Sequence, residues 1–212
     1  MTKAETRKGV KKMNNLIQKA ILMAMKAHQG EVRKGDGKTP YIVHPLEVGI
    51  TFSYYSTNDE ASIACAILHD ILENGKENYE AIKVEFGEEI ANIVQALTED
   101  KSIKDWVERK NENINRLRNF KINNFRIAYH LKVIDSLVNM KELLFSIKSQ
   151  GQEVWQKFNA PKEQKMQYFE VILNDLRQEL PNVLLEKYVA TLKDLEYAHL
   201  LVAKNEEIGF NA

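Results

Sequence analysis

A chain of 212 residues with 44% apolar residues has enough material for a packed core, which excludes disorder over most of its length. Thirty Lys and Arg balance thirty Asp and Glu to a formal charge of zero, so the whole-molecule field that draws proteins to nucleic acid or acidic membranes is absent and any anion site must be a local cluster. The single cysteine, Cys65, excludes an internal disulfide and a thiolate metal cage, and no apolar stretch resembles a signal peptide or reaches spanning length, so a cytoplasmic protein is expected, without nucleic-acid or membrane partners.

Nine glycines and four prolines leave long uninterrupted intervals in which apolar residues recur three and four positions apart, so the expected fold class is all-α. Leu16, Ile17, Ala20, Ile21, Met23, Ala24 and Ala27 form the stripe of a first helix that ends near His28. The segment that follows holds Gly30, Gly35, Gly37 and Pro40 among Arg33, Lys34 and Lys38, and is a loop. Tyr41 to His44 reads as a short extended connector, which places His44 at the entrance of a helix whose first turn takes Pro45.

Asn58 or Asp59 caps the next helix, whose residues Ile63, Ala64, Ala66, Ile67, Leu68, Ile71 and Leu72 are apolar nearly all round, as in a central helix ended by Gly75. Further helices are expected at about 77–86, 88–99, 105–119, 123–147, 150–158, 162–179 and 182–204. No internal repeat or Pro/Gly/Ser-rich linker divides the chain, so one domain over 1–212 is expected, with its chemistry in about 16–143 and additional helices at about 144–204.

The dipeptide His69-Asp70 lies in the most apolar of these helices, where a carboxylate is costly unless something compensates it. A metal ion would. Glu73 follows at four residues from His69 and three from Asp70, so all three can share a side of the helix. A second apolar helix carries Asp135 and Asn139 at i, i+4. Two imidazoles, His44 and His69, with two carboxylates, Asp70 and Asp135, make a nitrogen and oxygen set suited to Mn²⁺, Fe²⁺ or Zn²⁺.

In chain order, His44, His69-Asp70 and Asp135 resemble the H…HD…D pattern of the HD-domain metal-dependent phosphohydrolases. The resemblance is closer to the hydrolase domain of the Rel/Spo enzymes and to small stand-alone alarmone hydrolases. It runs through Ala27-His28-Gln29-Gly30, Arg33-Lys34, Pro40 to Leu46, Ala66 to Glu73, Phe86-Gly87, Thr98 to Lys101, Trp106, Glu108-Arg109-Lys110 and Lys132 to Met140. It implies an HD-domain helical bundle and Mn²⁺-dependent hydrolysis of the 3′-pyrophosphate of a guanine nucleotide, a small-molecule partner. His44, His69, Asp70 and Asp135 would hold the ion. Glu73, with Asn74 beside it, would occupy the catalytic acidic pair; Arg33 and Lys34 would contact the nucleotide and Asn139 its ribose or base.

Four positions depart from that pattern. Asn74 stands where the family usually has Asp, Ser136 follows Asp135 where Arg or Lys is common, Val138 replaces a His, and Glu142 stands where the guanine-nucleotide branch tends to be neutral. Ser136, Val138 and Glu142 suggest an HD phosphohydrolase for a different nucleotide or phosphate ester, and Asn74 suggests a binding module without turnover. Lys101, Arg109 and Lys110 either line the same cleft or form a solvated helix face, and His28 reads as a structural residue or a support for the metal ligands.

Overall fold

The computed structural model describes residues 15–73, 75, 77–119, 125–177 and 180–209. Its helices are α1 (Leu16–Ala27), α2 (Val43–Tyr55), α3 (Glu60–Leu68), α4 (Tyr79–Phe86), α5 (Glu88–Leu97), α6 (Trp106–Asn119), α7 (Phe125–Gln150), α8 (Lys162–Leu176) and α9 (Asn182–Gly209), with a 3₁₀ turn at Gly151–Lys157 between α7 and α8. The all-α expectation holds. Among the described residues the one β-type pairing is an isolated antiparallel bridge between Val32 and Pro40, and no helix is long and apolar enough to cross a membrane.

Two helices organise the bundle. α3 receives α1, α2 and α5, while α7, 26 residues long, packs against α2, α5, α8 and α9. Leu68 at the end of α3, Ile71 in the turn after it, and Ile134, Leu137 and Met140 along α7 are fully buried, and each such side chain contributes roughly 1.5–3 kcal/mol of transfer free energy. α2 and α5 each pack against both helices and so hold the two apolar segments in one core. This also brings the polar residues embedded in them to one place.

Local chemistry sets the element ends. The Asp59 carboxylate accepts from the Ser62 N–H at 2.9 Å and caps α3, as expected, and Asn78 caps α4 by accepting from the Ala81 N–H at 3.0 Å. Two details differ from the sequence reading. The Val43 N–H donates to Pro40 O at 3.1 Å and that of His44 to Tyr41 O at 3.0 Å, which winds the chain into helix before Pro45. His44 therefore sits inside the first turn of α2 rather than in an extended connector.

α3 also ends earlier than expected, at Leu68. His69 is its C-terminal cap, and residues 70–73 run on as tight turns, with the Ile71 N–H donating to Leu68 O at 3.1 Å and that of Glu73 to Asp70 O at 3.0 Å. The His69 side chain causes part of this. Its Nδ1 donates to Ala66 O at 2.8 Å and so takes up a carbonyl near the helix end. His69, Asp70 and Glu73 consequently leave a turn, not one straight helical face.

The loop 30–40 is held at several points. Arg33 N–H donates to Thr39 O at 2.8 Å, Tyr41 N–H to Glu31 O at 2.9 Å, and Asp36 Oδ1 accepts from the Lys38 and Thr39 N–H groups at 2.9 and 3.0 Å. Gly37 takes φ +68°, which suits glycine. A Cβ on Gly35 would stand 2.7 Å from Ser146 Oγ, so the missing side chain lets the loop lie directly on α7.

Candidate metal centre and basic cleft

The structure brings His44 from α2, His69 and Asp70 from the end of α3, and Asp135 from α7 into one cluster. Potential ligand atoms of His44, His69 and Asp70 all lie within 4.8 Å of one another. Asp135 Oδ1 stands 3.2 Å from His44 Nε2 and 3.6 Å from His69 Nε2, while Asp70 Oδ2 stands 3.9 Å from His69 Nε2. His44, His69 and Asp70 are buried, and Asp135 is partly exposed.

These residues fit a divalent ion. Because His69 Nδ1 donates to Ala66 O, the neutral ring carries its lone pair on Nε2, the atom aimed at both carboxylates. The two carboxylates favour positive charge at that ring. Burial alone would lower the His69 pKa, but Asp70 and Asp135 outweigh it and raise it to about 9. The carboxyls of Asp70 and Asp135 are held below the usual range despite burial, Asp70 chiefly by the charge of His69 and Asp135 chiefly by hydrogen bonds from His44 and His69. A bound dication would supply that compensation without the extra proton.

A second set of residues orients the first. Asp70 accepts from Tyr41 OH at 2.8 Å through Oδ2 and meets His28 Nε2 at 3.2 Å through Oδ1. His28 Nδ1 is 2.9 Å from Glu31 Oε2, so both ring nitrogens face carboxylates, the arrangement of an imidazolium. Burial opposes that charge, yet the hydrogen bond and charge of Asp70 raise the His28 pKa. His28 is thus a support for the cluster, and Tyr41, quoted in the sequence only as part of a motif, is another.

On the other side Asn139 Nδ2 donates to Asp135 Oδ1 at 2.6 Å, and Arg33 Nη2 donates to Asn139 Oδ1 at 2.8 Å. Arg33 Nε donates in turn to Glu142 Oε2 at 2.7 Å, and the guanidinium lies 5.1 Å from the Tyr41 ring centroid. Arg33 and Asn139 therefore face the cluster through each other, with Glu142 as the anchor. Lys34 points elsewhere, donating to Asn159 Oδ1 at 3.0 Å.

Glu73 lies at the cavity wall, paired with Lys101 at 2.7 Å. Asn74 lies outside the described residues. The cavity over the cluster, about 190 Å³, continues into one of about 250 Å³ bounded by Lys34, Trp106, Phe158, Lys165 and Tyr168. Burial, with Lys110 and Lys34 nearby, lowers the Lys165 ammonium to about 8.

The sequence reading missed much of this second cavity. Phe158, Asn159 and Lys165 come from the C-terminal third, where only aromatic core signals were visible. Arg109 and Lys110, placed between cleft and solvent by sequence, turn inward to the buried Glu99: Arg109 Nε lies 3.1 Å from Glu99 Oε2, Lys110 donates to Glu99 Oε1, and Lys132 Nζ stands 3.9 Å from the same oxygen. A lysine inside the apolar run of α7 was a signal for Lys132. Nothing in the sequence marked Glu99 as its partner.

Despite burial, the surrounding lysines, Lys110 first, lower the Glu99 carboxyl to about 2. A carboxylate whose folded pKa is depressed contributes stability that is present above its unfolded pKa and is lost as pH falls through the folded value. The expected result is a component of stability lost between about pH 4.5 and 2. Acid unfolding followed by circular dichroism should show that component missing in Glu99→Gln, which is less stable than wild type at neutral pH; an unchanged acid limb would contradict the assignment.

Comparison with known proteins gives a consistent picture. A family profile described as "HD domain" matches residues 20–163. Over 129 residues the chain is 33% identical to the guanosine-3′,5′-bis(diphosphate) 3′-pyrophosphohydrolase MESH1 of Xenopus tropicalis, covering 60% of this chain and 69% of that protein. It is 37% identical over 127 residues to the guanosine-3′,5′-bis(diphosphate) 3′-pyrophosphohydrolase of Aquifex aeolicus, of which it spans only 18%. Among solved structures, a metazoan ortholog of SpoT described as hydrolysing ppGpp superposes with a TM-score of 0.68 at 24% identity, covering 89% of this chain and 97% of that one. The lmo0812 protein of Listeria monocytogenes EGD-e superposes with a TM-score of 0.61 at 26% identity, covering 71% of this chain and 96% of that one.

Proposed function

The chain belongs to the HD-domain family, and from that premise we propose that it is a metal-dependent nucleotide pyrophosphohydrolase acting on the 3′-pyrophosphate of a guanosine 3′,5′-bis(diphosphate). The observation that carries this reading is the continuity of the His44, His69, Asp70 and Asp135 cluster with a cleft furnished by lysines and aromatic rings, in a protein whose overall charge is zero. The relatives named as 3′-pyrophosphohydrolases support the same substrate class.

In this reading the four cluster residues hold one divalent ion, Mn²⁺ being the proposed species. The ion supplies Lewis acidity and lowers the pKa of water toward neutrality. His28 and Tyr41 hold Asp70, and Asn139, anchored by Arg33, holds Asp135, so the ligands are oriented before any ligand enters. Glu73 accepts a proton from the attacking water. That water forms a bond to the phosphorus attached to O3′, the P–O3′ bond breaks, O3′ ends protonated, and pyrophosphate leaves. Lys34 and Lys165 contact the remaining phosphates electrostatically, while Trp106 and Phe158 offer ring surface to the nucleoside.

The test is release of pyrophosphate from guanosine 3′,5′-bis(diphosphate) by the purified chain with added Mn²⁺. Appearance of pyrophosphate and GDP in equal amounts supports the reading, and their absence over a panel of metals overturns it. A second reading, hydrolysis of another nucleotide or phosphate ester, is favoured by one observation: Glu142 engages Arg33 and leaves it fewer free donors for the nucleotide. A panel of 3′- and 5′-phosphorylated nucleotides separates the two.

A further inference from the structure

Beside the metal centre lies a cluster that the ligand set does not use. Glu99, two residues beyond α5, is 5% exposed, and around it stand Arg109 (13% exposed) and Lys110 (18%) from α6, and Lys132 (5%) from α7. Lys101 reaches the same carboxylate at 4.0 Å while pairing with Glu73 at 2.7 Å. The Tyr168 ring lies 4.8 Å from Lys110 and 6.0 Å from Lys132 and favours both cations, and Lys132 also faces Asp135. Glu99 is thus the carboxylate that three largely buried cations have in common. Burial opposes their charge, yet Tyr168 and Glu99, with Asp135 beside Lys132, hold both lysines above the ordinary pKa.

Lys110 and Lys132 carry three N–H donors each, more than the Glu99 carboxylate takes up, so a further anion would find donors in the cluster. The cluster lines the same cavity of about 190 Å³ as His69, Asp70 and Asp135, and Lys132 is three residues from Asp135 on α7. An anion drawn there would therefore lie beside the metal centre, and two adjoining phosphoryl groups would match several cations better than one would. We propose that Arg109, Lys110 and Lys132 form a binding site for the pyrophosphate group that is cleaved, with Glu99 as the internal anion that holds the three cations together when the site is free. This rests on the hydrolase reading above and names the cationic pocket that reading leaves unassigned.

Glu99 gives the test its sign. If the cluster were only a structural ion-pair network, Glu99→Gln would loosen the cations and weaken any anion binding. If it is an anion site, Glu99 competes with the ligand, and Glu99→Gln should tighten it. The experiment is calorimetric titration of the intact chain with inorganic pyrophosphate, Mn²⁺ being kept in excess of pyrophosphate. Lys110→Gln and Arg109→Gln should each weaken binding about 10- to 100-fold, with the Mn²⁺ affinity of the protein unchanged.

Glu99→Gln should bind pyrophosphate on the order of ten times more tightly than wild type. It should also recover on pyrophosphate addition the melting temperature lost by the substitution. Pyrophosphate binding that is indifferent to Lys110→Gln and Arg109→Gln, or weaker in Glu99→Gln, overturns the proposal. The nucleotide assay is read separately. Hydrolysis with an insensitive pyrophosphate titration sinks this site alone, whereas the predicted titration without hydrolysis sinks only the substrate assignment.

Discussion

Asp70→Asn is expected to remove tight Mn²⁺ binding, with a loss of affinity on the order of 100-fold or more, since even residues that merely orient metal ligands are commonly worth 10- to 100-fold. The substitution keeps the shape of the side chain and an acceptor for Tyr41, which donates to Asp70 Oδ2 at 2.8 Å. It removes the charge, and it forces one terminal atom to become a donor toward either Tyr41 or His28. The variant should therefore fold, and the deficit should lie in the ion. At an ion concentration of about 100 times the dissociation constant, binding adds roughly 2.7 kcal/mol to stability. For a chain of this size that corresponds to a rise in melting temperature of about 5–10 °C. Thermal melts of wild type with and without Mn²⁺ should show that rise, and Asp70→Asn should not. A wild type that stays metal-free at saturating ion, or an Asp70→Asn variant that gains the same rise, would show that the cluster is not the metal site. His28→Gln is the graded control: it loses one contact to Asp70 and should weaken the ion by about 10- to 100-fold without eliminating it.

How far the sequence reveals such a site depends on the range of each interaction. Helix periodicity is local, so α1, α4, α5, α6 and α7 are readable to within a few residues, and the α3 cap is narrowed to Asn58 or Asp59, of which the structure uses Asp59. The charged residues in apolar segments, Asp70 and Asp135, announced themselves by their surroundings. Their spatial meeting follows from α2 and α5 packing against both α3 and α7, which the hydrophobic pattern alone does not show.

What could not be read were contacts between side chains far apart in sequence that replace solvent for one another. Arg33 was expected to face a nucleotide, yet 106 and 109 residues later Asn139 and Glu142 supply it with acceptors. Glu99 gathers Arg109 and Lys110 from α6, but Lys132 comes from α7 after an intervening helix. The end of α3 was misplaced for a more local reason. The hydrophobic run continues through Ile71 and Leu72, while the His69 Nδ1 bond to Ala66 O and the tight turns after it redirect the backbone.

Glu73→Gln is expected to lower pyrophosphate release by about 10²–10⁴-fold, the usual contribution of a positioned general acid or base, while leaving Mn²⁺ affinity close to that of wild type. Glu73 sits in the turn immediately after Asp70, its N–H donating to Asp70 O at 3.0 Å, and its carboxylate pairs with Lys101 at 2.7 Å at the wall of the cavity. The backbone turn and the Lys101 ion pair therefore place the carboxylate at the wall of the cavity that holds the cluster. Gln keeps the size and cannot accept the proton of the attacking water as a carboxylate does.

Asn74→Asp supplies the second carboxylate of the family's acidic pair. If Glu73 alone serves as base, the added carboxylate should raise the rate, though less than the loss in Glu73→Gln, because two adjacent carboxylates titrate as a coupled pair and one is pushed toward its neutral form. Rates of pyrophosphate release should be followed for wild type and both variants over a range of pH at saturating Mn²⁺. Activity absent in wild type and gained in Asn74→Asp identifies wild type as a binding module that has lost turnover. An active wild type indifferent to both substitutions places the proton-accepting group elsewhere in the cleft.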